Sequence, residues 1–143
     1  MREILFRGKR KDNGEWVEGF YMDYGYINQP FTELGGRFDD TIEVDPETVG
    51  QYTGLKDMNG KKIFEGDVLE SRKSEDKADW KHWSCYFHDG SFCFETEVGK
   101  RKKKFEQNLL CKDEIDLYGL VVIGNIHDNP ELLKGGAEEW KKD

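Results

Sequence analysis

The chain has 143 residues, enough for one domain or two very small ones sharing a core. Its 36% charged residues and net charge of −8 exclude a surface that grips nucleic acid throughout, yet nine Phe, six Tyr and four Trp are too many for a disordered acidic chain. No apolar run approaches the roughly 20 residues of a membrane helix. The start, "MREILFRGKRKDNG", lacks the apolar core of a secretory signal, and three cysteines (Cys85, Cys93, Cys111) suit a reducing compartment better than a disulfide scaffold. A folded protein of a reducing cytoplasm, without membrane attachment, is expected.

The first predicted element is a hairpin. "EILFRGKR" and "EWVEGFYM" flank "KDNG", where Asn13-Gly14 supplies the positive φ angles of a tight connection. "YGYINQP" reads as a third strand ending near Pro30, "FTELGGRFDD" as a polar surface loop, and "TIEV" as a short strand. In "DPETVG", Asp45 can cap and Pro46 fits the first helical position, but Gly50 limits the helix to a single turn.

"YTGLKDMNGKKIFEGDVLE" gathers Gly54, Asp57, Asn59, Gly60, Gly66 and Asp67 around Ile63-Phe64. A calcium loop would place glycine at its sixth position and glutamate at its twelfth, and Lys61 and Lys62 fill places where ligands belong. A phosphate site would need a helix after the glycines, whereas a strand follows Gly60. The stretch therefore reads as corners that deliver Ile63 and Val68 into a core. On that reading Gly60→Val damages folding and Asp57→Ala costs little.

"SRKSEDKAD" is polar and reads as a mobile loop. "WKHWSCYFHDGSFCFETEV" is a second hairpin about Asp89-Gly90, with His88 opposite Ser91, Phe87 opposite Phe92 and Cys85 opposite Phe94. Trp83, Cys85, Phe87, Phe92 and Phe94 then share the core face, while His82, Tyr86, His88 and Cys93 lie on the other. The spacing of His82, Cys85, His88 and Cys93 invites zinc, but the sheet separates Cys85 from the histidines. His82 also lies about 13 Å along the strand from the position opposite Cys93. Zinc bonds of about 2.0–2.3 Å cannot gather such a set, so no metal is expected. "GLVVIGNIH" is the most apolar strand, and "DNPELL" ends the fold with Pro130 opening a helical turn.

Catalytic patterns are thin. Glu95 and Glu97 share a strand face, and Asp113, Glu114 and Asp116 cluster in a polar segment, but in a chain with 30 acidic residues such neighbours arise by chance. No serine sits in a nucleophile elbow. A hydrolase-like enzyme using strand-face carboxylates stays the weakest alternative, and no cofactor is expected. "KRKKK", Lys100, Arg101, Lys102, Lys103 and Lys104, stands out: −8 with these five charges removed becomes −13. It can be a solvated hairpin tip, or with Phe105 it can contact an acidic partner or nucleic acid.

Three blocks, "FRGKRKDNGEWVEGF", "DPETVGQYTGLKDMNGKKIFEGDVLE" and "VIGNIHDNPELL", together resemble the YopX family, small proteins encoded by bacteriophages and prophages. The resemblance implies a mainly β fold with a small SH3-like barrel in the C-terminal part, opened by "KKIFEGDVLE" and closed by "VIGNIH". It brings no established activity, cofactor or catalytic residue. Barrel closure is also what a short, apolar last strand needs, since it removes unpaired edges.

The reading is then an N-terminal β hairpin and meander region over 1–50, an SH3-like barrel over 51–133 and a flexible tail over 134–143, in one compact unit with short helical turns. Its expected function is non-enzymatic binding of a macromolecule. A host or phage protein is the favoured partner, nucleic acid through Lys100–Lys104 the alternative, and homo-oligomerisation stays open.

Overall fold

The computed structural model describes residues 4–22, 25–28, 41–88, 90–98 and 104–132, with 88, 96–98 and 104–108 described by backbone alone. It is mainly β, with eleven strands among the described residues and one short α-helix. The chain divides into two compact units between Gly54 and Leu55.

In the first unit β1 (Phe6–Lys9) pairs antiparallel with β2 (Trp16–Met22), Lys9 opposite Trp16 and Phe6 opposite Gly19. The connection is held by the Arg10 N–H on the Glu15 carbonyl at 2.8 Å and the Gly14 N–H on the Arg10 carbonyl at 2.9 Å. β3 (Tyr26–Asn28) adds to β2, and β4 (Thr41–Glu43) adds to β3. The sheet curls, because Val44 at the end of β4 forms a bridge with Arg10 at the end of β1. Val17, Ile27 and Val44 fill the curl, with Tyr21, Ile42 and Val49 packed against them. The expected single helical turn is a 3-10 turn at Pro46–Thr48, where the Asp45 side chain accepts the Glu47 N–H. β5 (Gly50–Lys56) returns beside β1, with Gly50 opposite Arg7 and Gln51 opposite Phe6. The loop expected over 31–40 lies outside the described residues.

The second unit holds β6 (Lys62–Phe64), β7 (Asp67–Ser71), β8 (His82–His88), β9 (Ser91–Val98), β10 (Lys104–Leu109), α1 (Lys112–Tyr118) and β11 (Leu120–Asn125). Its five-stranded sheet has the order β10-β9-β8-β7-β11. A four-strand meander is thus followed by a last strand that returns to the first, the connectivity of the expected SH3-like barrel. The β8–β9 register is the one the turn residues predict: His88 faces Ser91, Phe87 faces Phe92 and Cys85 faces Phe94. Ile63, Leu69, Trp83, Cys85, Phe94, Ile115 and Leu120 make the interior, each at most 3% exposed. Phe87, on the same face but at the hairpin end, is half exposed and packs edge-on against Phe92.

α1 is an element that no long apolar period announces. It has two turns, buries Ile115, carries Asp113 and Glu114 where the helix dipole favours acids, and ends at Gly119 in the left-handed region (φ 64°). A side chain at Gly119 would also bring a Cβ within 3.0 Å of the Lys73 nitrogen.

Asp57 corrects the expectation that its loss costs little. It is 6% exposed, and one carboxylate oxygen accepts the N–H groups of Asn59 (2.8 Å) and Lys61 (2.9 Å). The other accepts the Val122 N–H at 2.9 Å, 65 residues away in sequence. Beside it the Met58 N–H donates to the Leu120 carbonyl at 3.1 Å. The 57–60 turn therefore occupies the side of β11 that faces away from β7, supplying partners that an edge strand otherwise lacks.

Asp57→Ala is expected to lower stability by about 3 kcal/mol, because it strands buried N–H groups, while Asn59→Ala on the exposed part of the turn costs under about 0.5. Urea denaturation of both variants checks this, and equal costs would refute it. Gly60 has φ 82° and open space where a Cβ would project, so backbone strain and not collision sets its cost. Gly60→Val should lose about 1–2 kcal/mol and Gly60→Asn less than half of that in the same assay.

Candidate functional site

The polar stretch 71–79, expected as a mobile loop, is folded on itself within the segment 71–81. At its base the Ser71 N–H donates to the Lys81 carbonyl (3.0 Å), and the Lys81 N–H to the Ser71 hydroxyl (3.2 Å). Asp76 caps a 3-10 turn at Lys77–Asp79 by accepting the Ala78 N–H at 2.9 Å. The Ser74 hydroxyl accepts the Asp76 N–H and donates to Asp79, and the Trp80 indole N–H donates to the Ser74 carbonyl at 2.9 Å. The Arg72 guanidinium and the Lys77 ammonium lie 5.3 and 5.6 Å from the Trp80 ring centre.

This loop is joined to the end of α1. The Arg72 N–H donates to the Gly119 carbonyl at 3.1 Å and the Lys73 N–H to the Tyr118 carbonyl at 3.3 Å. Between them lies a cleft of about 210 Å³, lined by Ser71, Lys73, Ser74, Asp79, Lys81, Trp83, Leu117 and Tyr118. Trp83 sits at its base, 1% exposed, edge-on to Phe94 with ring centres 4.8 Å apart and 5.6 Å from Tyr118. Its indole N–H has no acceptor among the described residues. Leu117 on α1 is 61% exposed, and the Lys81 ammonium lies 6.0 Å from the Trp83 ring centre. Rigid aromatics, an exposed leucine and two lysines thus meet at one place.

The outer face of the same sheet carries an ionic cluster. Glu70 accepts from the Arg72 Nε at 2.6 Å and lies 2.9 Å from His82 Nε2, while His82 Nδ1 lies 2.7 Å from the Leu132 carbonyl oxygen. Burial by itself raises the Glu70 pKa. The hydrogen bonds from Arg72 and His82, with their charges, outweigh it and hold the carboxyl below the usual range. Both ring nitrogens of His82 therefore face oxygens, and the histidine ties the closing segment to the sheet.

Among the described residues no three His, Cys, Asp or Glu side chains converge as a metal site. Cys85 is buried in the interior, while Cys93, opposite Tyr86, lies on the other face with its Sγ 3.8 Å from the Ser91 carbonyl. Glu95 accepts the Tyr86 hydroxyl at 2.8 Å. Glu97 pairs with Phe105 along β9 and β10. Asp113 and Asp116 are exposed on α1, Glu114 is half-buried there, and Lys112 lies 3.7 Å from Asp116. Of the basic run, Lys100 to Lys103 lie outside the described residues, and the Lys104 backbone opens β10 opposite Val98. In the first unit Phe20, Met22 and Tyr26 are 38–51% exposed on adjacent β2 and β3, and an open hollow by Arg10, Asp12 and Glu43 has its charges paired internally.

The cleft escapes a linear reading because it joins residues 71–83 to residues 117–118. Its local signals are nonetheless in the sequence: serine and aspartate at close spacing from Ser74 to Asp79, and Tyr118-Gly119 as a helix end.

Fold and site together define a small β protein built from a curled N-terminal sheet and a barrel-like meander. A family model described as YopX protein matches residues 5–134. The chain belongs to the YopX family. Among solved structures it is similar to the crystal structure of protein EF1440 from Enterococcus faecalis, with 29% identity, a TM-score of 0.56, and coverage of 93% of this chain and 99% of that one. No curated protein matches the sequence significantly. Among the described residues no helix is long and apolar enough to cross a membrane.

The Glu70 cluster makes stability pH-dependent with a defined sign. A carboxyl whose folded pKa lies below its unfolded value contributes stability above the unfolded value, about 4.3, and loses it as pH falls through the folded one. Thermal melts of the wild type and Glu70→Gln are expected to converge as pH is lowered from about 6 to about 3. A constant gap across that range would refute the assignment.

Proposed function

We propose that the chain is a non-enzymatic binding module, an accessory protein of a bacteriophage or prophage, whose partner is a host or phage protein. The observation that carries this reading is the cleft between the 71–81 loop and α1. It is smaller than the roughly 300 Å³ at which small-molecule pockets begin, so it suits one bulky side chain better than a substrate and its reacting groups. Its walls are cross-braced by backbone hydrogen bonds, which keeps the ordering cost of binding low. The net charge of −8 favours a protein over a polyanion as the main partner. Family membership supports the phage setting, and fold alone supports none of the chemistry.

Affinity capture of the tagged chain from host cells, with and without nuclease, followed by titration of the purified partner, tests the reading. A stoichiometric protein partner that survives nuclease is expected. Recovery of nucleic acid alone, lost when Lys100–Lys104 are reversed to glutamate, would replace this reading with the nucleic-acid one.

A further inference from the structure

We propose that the cleft between the 71–81 loop and α1 recognises a peptide segment of a partner protein that carries one bulky apolar side chain flanked by carboxylates. The proposal rests on the binding-module reading and names the chemistry of its partner.

The anchor follows from what the cleft presents. Tyr118 gives it aromatic surface above the buried Trp83, and Leu117, 61% exposed on a two-turn helix, leaves apolar area in water that a partner side chain would cover. Volume limits the occupant to about one side chain.

The flanking charge follows from the rim. Lys73 and Lys81 stand on it beside one carboxylate, Asp79, which accepts the Ser74 hydroxyl, so the lining carries two cations to one anion. Lys77 adds a further cation over Trp80, while the neighbouring Arg72 is held by Glu70. In a chain of net charge −8, a rim of this sign selects an acidic segment and steers it locally, while the rest of the surface turns acidic partners away. Specificity would then come from the conjunction of apolar anchor and acid, since the net negative charge opposes an acidic segment that lacks the anchor.

The test uses the full chain and a set of labelled ten-residue peptides: one leucine flanked by four glutamates, the same peptide with serine for leucine, and the same with lysines for glutamates. Fluorescence anisotropy at low salt is expected to show binding of the first alone, at least tenfold weaker at 0.5 M salt. Leu117→Asp and the Lys73→Glu/Lys81→Glu pair are each expected to weaken it tenfold or more, with thermal melts confirming that both variants fold. The Trp83 indole N–H resonance should move on titration. No binding of the leucine–glutamate peptide, equal binding of the serine peptide, or binding unchanged in both variants would overturn the proposal. A protein partner captured equally by wild type and by Leu117→Asp would leave the binding module standing and remove this cleft as its site.

Discussion

Three backbone N–H groups converge on the Asp57 carboxylate, and the second unit depends on that convergence. Two of the bonds are local and shape the turn; the third reaches β11. A five-stranded open sheet has two edges, and β11 is one of them. Without the turn, the Val122 N–H and the Leu120 carbonyl would lie unpaired beside an interior that contains both side chains. One short acidic side chain therefore does what an additional strand would do. A neutral acceptor of the same size could take fewer of these bonds, and an apolar one none.

The ends of β7 repeat the device on a smaller scale. Asp67, 1% exposed, accepts the Phe64 N–H at 2.7 Å, and Gly66 exchanges bonds with both the Cys85 carbonyl and the Ile126 N–H, each at 2.8 Å. At the far end the Ser71–Lys81 pair and the contacts to Tyr118 and Gly119 fasten the loop and α1 to the sheet. The cleft exists because both its walls are anchored at that end. Asp57, Gly66 and Asp67 in the middle of the chain thus serve turns and strand ends.

The sequence is most legible where a local rule decides the outcome. Asp89-Gly90 predicts the β8–β9 register, since a two-residue turn leaves one pairing open, and Asp45-Pro46 predicts a capped single turn. It is least legible where the partner lies far along the chain. Nothing near Asp57 reveals that Val122 will meet it, and apolar periodicity, which sees only greasy positions, passes over a buried carboxylate. α1 escapes notice for a related reason: two turns offer one buried residue, Ile115, too few for a period to register. The metal pattern in the β8–β9 hairpin shows the reverse, because alternation alone puts Cys85 and Cys93 on opposite faces.

Amide hydrogen exchange at Val122 tests the central claim most directly, because that N–H lies on the side of β11 away from β7 and has the Asp57 carboxylate as its acceptor. If the turn completes the edge, Val122 should exchange only through global unfolding, with protection matching that of β7 and β8. Exchange at a rate near that of an unprotected amide, with β7 still protected, would contradict the account.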